Sequence, residues 1–176
     1  MIAYGKGRPL PFCMFYKTGR IRKEQSMDSI DMRILKCLSK NARLPASAIS
    51  EEISLSVSAV IERIKKLESS GLIKGYTIQI DQEVLGNKMV ALMDVSLKHP
   101  DYYEGFVELV RNNNRIASCY YQTGEFDFVL RIVTDTTDGL DEVYKDIKSY
   151  EGVEKTETHI VLRTIKEETA LLPNGD

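Results

Sequence analysis

The chain has 176 residues, enough for one ordinary domain or two small ones, and its 43% hydrophobic and 28% charged content suits a folded, water-soluble protein. No apolar run approaches the ~18–20 residues of a membrane span, and the scattered cysteines Cys13, Cys37 and Cys119 have neither the even number nor the C-x-x-C spacing of a disulfide framework or zinc site. The expectation is a reduced, cytoplasmic protein that needs no metal or cofactor.

The net charge of −2 hides an asymmetry. Residues 1–26 hold six Lys/Arg against one acid, residues 27–75 eight against six, and residues 76–176 ten against nineteen. A polyanion is therefore expected to meet only the front of the chain. Residues 1–26 have four glycines or prolines among the first eleven positions and no sustained helical or strand period. They lack the order of a secretory signal. Two readings stand: a basic arm touching DNA phosphates, or a disordered extension from an upstream start. Met27 opens a well-formed domain, which favours the second.

Residues 27–74 are expected to form a three-helix domain. Asp28 is a good N-cap, with Asp31 adding negative charge to the first turn. Ile30, Ile34, Leu35 and Leu38 follow at helical spacing, and the helix should fray near Asn41. Pro45 can lead a second, shorter helix with Ala46, Ile49 and Ile53 inward. After a break at Ser54 and Leu55, Ser56 caps a third helix whose inward face is predicted as Val57, Val60, Ile61, Ile64 and Leu67. Gly71 suits the left-handed position beyond its end.

A short second helix, a tight turn and a capped third helix match the DNA-binding helix-turn-helix. The outward face of the third helix is predicted to carry Ser58, Ala59, Glu62, Arg63 and Lys66, with Lys65 to one side and Ser56 at the tip. In that role Arg63 would reach guanine O6/N7 or a phosphate, and Glu62 would accept from a cytosine amino group or hold Arg63 in place. Lys65 and Lys66 are suited to phosphates.

The strings I-D-x-x-I-L at 30–35, N-A-R-L at 41–44 and L-S-x-S-x-V-x-x-R-I-K-K-L-E-x-x-G-x-I-x-G-Y at 55–76 carry a resemblance to the helix-turn-helix of the Lrp/AsnC family of prokaryotic regulators. One departure is Ser54, where that family often has glycine.

Residues 75–87 are expected to form a hinge strand or linker. Tyr76, Ile78 and Ile80 alternate with Thr77 and Gln79 within a predicted strand at 74–81, and the resemblance implies that this strand pairs with its copy in a partner subunit. Residues 88–176 are expected to form a ferredoxin-like βαββαβ domain, completing an α+β, two-domain, winged-helix-like plan. The predicted strands are 89–97, 116–122, 128–133 and 153–165, with helices around 102–110 and 140–150. The helices can cover one sheet face only. A second apolar face, from residues such as Val90, Leu92 and Val161, then argues for a homodimer.

The string T-G-E-F-D-F-V-L-R-I at 123–132, with G-V at 152–153 and L-R-T-I-K at 162–166, resembles the effector-binding (RAM) module of the same family. A turn at Gly124 leaves backbone N–H groups free, and Asp127 could accept from an ammonium group, as an amino-acid zwitterion requires; a hairpin-capping Asp127 is the alternative. The resemblance implies an effector, an amino acid, held between dimers by Thr123, Gly124, Glu125, Phe126 and Asp127, together with Thr134 and Asp135. It also implies double-stranded DNA with a pseudo-palindromic operator as partner, and assembly beyond the dimer to a tetramer or octamer.

The rival function is a sirohaem-decarboxylase-like enzyme on the same plan. The chain has no tryptophan, and its region 116–130 reads IASCYYQTGEFDFVL. His99 and His159 have no triad-like or metal-ligand spacing around them. The expected function is thus a DNA-binding transcriptional regulator, not an enzyme.

Overall fold

The computed structural model describes residues 27–168 and 172–173. The expected basic arm at 1–26 lies outside the described residues. Among those described, 27–77 form one compact unit and 78–168 another.

In the first unit, helix α1 (Ser29–Lys40) opens on a capping box: Asp28 accepts from the Asp31 amide, and Asp31 accepts from the Asp28 amide. Helix α2 (Ala46–Ile53) follows Pro45, and α3 (Val57–Ser69) is capped by the Ser56 hydroxyl, which accepts from the Ala59 amide at 3.2 Å. The core is Ile34, Cys37, Ile49, Ile53, Val60 and Leu67. Two predicted core residues are not in it: Val57 and Ile61 are 42% and 41% exposed. Positions 60, 64 and 67 already give α3 a full inward stripe, and 57 and 61 lie round its edge.

The break between α2 and α3 has Ser54 in the left-handed region at φ 58°. Gly71, at φ 71°, takes the left-handed position after α3, and the Leu72 amide returns to the Leu67 carbonyl. Residues 74–81 lie outside helix and strand, so the predicted strand is not formed within one chain. Tyr76, Ile78 and Ile80 of that segment are exposed.

In the second unit, β1 (Met89–Leu97), a short 3-10 turn (Pro100–Tyr102), α4 (Tyr103–Arg111), β2 (Ile116–Tyr121), β3 (Phe128–Thr134), α5 (Thr137–Ser149) and β4 (Val153–Ile160) follow in the expected βαββαβ order. The sheet is antiparallel, ordered β2-β3-β1-β4. Its helix-covered face aligns Ala91 with Ile132, Met93 with Leu130 and Val95 with Phe128, over Phe106, Val143 and Ile147. The last strand stops at Ile160, five residues short of prediction; only the Val161 amide continues the pairing, to the Val90 carbonyl.

The expected second apolar face is only partly apolar. Val90, Leu92, Val129 and Val133 share that face with Asp94, Arg131, Glu157 and His159, because the register sets Leu92 between Arg131 and His159 and Asp94 between Val129 and Glu157. Gln122 Nε2 donates to Asp94 at 3.1 Å, and His159 Nε2 lies 3.4 Å from Glu157 and 3.9 Å from Asp94. The face is mixed rather than greasy.

Candidate nucleic-acid and effector sites

The outer strip of α3 exposes Ser58, Glu62, Lys65 and Lys66, while Ala59 is half-buried. Ser56 is occupied as the cap and lies 3.1 Å from the Ser58 hydroxyl.

Arg63 corrects the sequence expectation. It does not project outward: its Nη1 donates to Asp28 Oδ2 and to Asp31 Oδ1, both at 2.7 Å. The reason is positional. Arg63 follows Val60 by three residues and precedes Leu67 by four, so it stands in line with the buried stripe. Asp31 is 3% exposed, and a buried carboxylate requires a cation as well as backbone donors. The two acids at the start of α1 were the available sequence signal. Backbone donation from Asp31, and then the Arg63 guanidinium, hold the Asp28 carboxyl below the usual aspartate range; the same two carboxylates raise Arg63.

The predicted effector residues fall into two groups. Thr123–Asp127 join β2 to β3, and Thr134–Asp135 follow β3. They lie at opposite ends of β3, on the order of 20 Å apart along a seven-residue strand. One chain does not bring them together.

In the first group, Gly124 has φ 138° with open space where a side chain would be, so its left-handed backbone is accessible. Glu125 pairs with Lys155 Nζ at 2.6 Å, and the same ammonium stands 4.7 Å from the Phe126 ring centroid. Lys155, on β4, was missed by sequence reasoning; no local spacing announces it, because the strand register alone brings it to the loop.

Asp127 has its side chain engaged within the fold. Its Oδ2 accepts from the Leu97 amide at 2.7 Å, where the β1–β4 register shifts between Ser96 and Leu97. Its own amide donates to the Val95 carbonyl, and its carbonyl accepts from the Gln122 amide. The carboxylate thus satisfies a strand end, which favours the hairpin-capping alternative over an ammonium acceptor.

In the second group, Thr134 is 2% exposed and its hydroxyl donates to the Thr136 carbonyl. Asp135 is exposed and accepts from the Thr136 hydroxyl at 3.3 Å, while that hydroxyl caps α5 by accepting from the Gly139 amide. These residues form a self-contained helix cap.

His99 caps the 3-10 turn by accepting from the Asp101 amide. Among the described residues, no group of three His, Cys, Asp or Glu side chains could hold a metal ion, and no helix is long and apolar enough to cross a membrane.

A capped helix-turn-helix followed by an antiparallel βαββαβ unit defines a DNA-binding regulator with a ligand-binding module. Comparison with known proteins agrees. Residues 27–74 match the family model of a winged helix-turn-helix DNA-binding domain, and residues 90–171 match that of the Lrp/AsnC ligand binding domain. The HTH-type transcriptional regulator FL11 of Pyrococcus abyssi is 40% identical over 146 residues, spanning 83% of this chain and 96% of FL11. The leucine-responsive regulatory protein of Haemophilus influenzae is 27% identical over 154 residues, 86% of this chain and 93% of that protein. Among solved structures, a Neisseria meningitidis transcriptional regulator in complex with L-methionine superposes with a TM-score of 0.81 at 31% identity, covering 85% of this chain and 98% of that one. The feast or famine regulatory protein of M. tuberculosis, complexed with L-methionine, gives 0.78 at 26% identity, covering 84% and 100%. The chain belongs to the Lrp/AsnC family of transcriptional regulators.

Proposed function

We propose that this regulator is cytoplasmic, acts without catalysis, and changes its DNA binding or assembly in response to an amino acid. The observation that carries the reading is the union of the two family-matched units in one chain, with two relatives of the same architecture whose structures hold L-methionine. DNA contact falls to Ser58, Glu62, Lys65 and Lys66, the lysines meeting phosphates. Effector contact falls to the exposed turn Thr123–Phe126 with Lys155 beside it. Arg63, Asp127 and Thr134 act on these sites through the fold.

The working species is a homodimer that can assemble further. Support comes from the exposed Tyr76, Ile78 and Ile80 at the junction of the two units, and from the valines and Leu92 on the sheet face the helices leave open. Paired recognition helices would then suit a pseudo-palindromic operator.

A thermal-shift screen of the twenty amino acids tests the reading, with methionine and leucine first. A ligand at 100-fold its Kd adds about 2.7 kcal/mol of stability. A screen without any shift, beside unchanged operator binding in each amino acid, would remove the effector half of the proposal.

A further inference from the structure

We propose that Val57 and Ile61 read the 5-methyl groups of thymine in the major groove, making the outer face of α3 a thymine-selective surface. This rests on the reading of 27–74 as a DNA-binding helix-turn-helix and adds the chemistry of the bases it contacts.

The two side chains are four residues apart and therefore adjacent on one helix face. Both are exposed by about two-fifths, and neither belongs to the core that holds Val60 and Leu67. Single exposed apolar residues on a surface are ordinary. Here two adjoin on the first two turns of the third helix, the part of a recognition helix that reaches base edges. Ser58, Glu62 and Lys65 continue the same exposed strip.

The withdrawal of Arg63 sharpens the point. It is the one arginine in α3, and its Nη1 is bound to both Asp28 and Asp31, which draws the guanidinium toward the first helix and away from the task of reading guanine O6 and N7. Lys65 and Lys66 remain as flexible point charges, suited to phosphates. The base-edge feature that complements a branched apolar side chain is the thymine methyl, the apolar group of the major-groove pattern. A valine and an isoleucine one turn apart can meet methyls on neighbouring steps.

The test uses the full chain and a randomised double-stranded DNA library. After selection, each thymine of the enriched half-site is replaced in turn by deoxyuridine, which removes the methyl and nothing else. Affinity is expected to fall about fourfold at one or two positions per half-site, the worth of one buried methyl-sized group. The Val57→Ala and Ile61→Ala chains should no longer feel those replacements, with melting curves confirming that both variants fold. Indifference to deoxyuridine throughout a selected half-site overturns the proposal while leaving the helix-turn-helix reading intact. A change in oligomeric state on Val57→Ala or Ile61→Ala, with thymine dependence unaltered, overturns it in favour of a second copy covering the pair. Failure to bind or enrich any duplex removes the DNA-binding reading, and the proposal with it.

Discussion

Arg63 and Asp31 face each other at 2.7 Å, joining the middle of the third helix to a buried carboxylate in the first turn of the first helix. Asp28 takes the same guanidinium nitrogen from the other side. The contact sets how the third helix is presented, so Arg63 is a positioning residue for DNA binding. Arg63→Ala should weaken binding to selected and random duplexes by similar factors and lower the melting temperature. Arg63→Lys should restore only part, because the ammonium keeps the charge but not the reach of the guanidinium nitrogen that meets both carboxylates. Competition binding with selected and scrambled DNA checks this; a loss confined to one base position would make Arg63 a reader instead.

The same clamp predicts an acid limit. The folded Asp28 carboxyl titrates below its ordinary value of 3.8, through the Asp31 amide and the Arg63 guanidinium. A depressed carboxylate contributes stability that is present above the unfolded value and lost as pH falls through the folded one. The first unit should therefore lose stability from near pH 3.8 downward, and Asp28→Asn should flatten that loss. Melting curves of both chains between pH 5 and about 2.5 give the comparison, and parallel acid limbs would exclude Asp28 as a contributor.

Ser54 holds φ 58° in the turn between the second and third helices. An L side chain there costs on the order of 1–2 kcal/mol, which glycine avoids while losing more chain entropy on folding. Ser54→Gly should raise stability by about 0.5–1 kcal/mol and leave DNA affinity unchanged. Urea unfolding measures the first, and a decrease in midpoint would show that the serine contributes something the backbone geometry does not reveal.

Helix starts, strands and chain order were legible because they depend on local chemistry: Asp28 and Ser56 as caps, Gly71 past a helix end, apolar runs at 89–97 and 128–133. What escaped was set by tertiary register. A charged Arg63 was expected in solvent although its spacing from Val60 and Leu67 placed it in the buried line. Ile61 was expected in the core although 60, 64 and 67 already filled it. The polar half of the open sheet face follows from which residues of β3 and β4 stand opposite Leu92 and Asp94, and no single strand displays that. The predicted strand at 128–133 already put Thr123–Asp127 and Thr134–Asp135 at its two ends; what the sequence could not show is that their polar groups are partly committed to caps.

Thr158, on β4, faces the helix-covered side opposite Met93, and its hydroxyl is buried without a hydrogen-bond partner among the described residues. A buried unsatisfied hydroxyl costs about 1–3 kcal/mol. Valine has nearly the same shape and suits a strand. Thr158→Val should stabilise the second unit by about 1 kcal/mol, read from its unfolding midpoint. Destabilisation would mean that the hydroxyl has a partner in the assembled protein.

The last prediction concerns Asp127. Its Oδ2 accepts from the Leu97 amide at 2.7 Å, while its own amide and carbonyl pair with Val95 and Gln122. Two of these bonds tie the start of β3 to the end of β1, where the neighbouring ladder slips register, and the third ties it to Gln122 at the end of β2. A hydrogen bond to a charged group contributes about 1.5–3 kcal/mol, and its loss leaves a strand amide without its acceptor. Asp127→Ala should therefore lower stability by about that amount. Asp127→Asn, whose side-chain oxygen can still accept, should recover part of it. In the folded fraction, affinity for the screened amino acid should stay within about threefold of the parent, because a carboxylate aimed at Leu97 is not the group that meets an ammonium; the worth of such a direct contact would be roughly ten- to a hundredfold. Calorimetric titration beside a melting curve separates the two effects. A hundredfold loss of ligand affinity with an unchanged melting temperature would return Asp127 to the effector site and require its side chain to leave Leu97 when ligand binds.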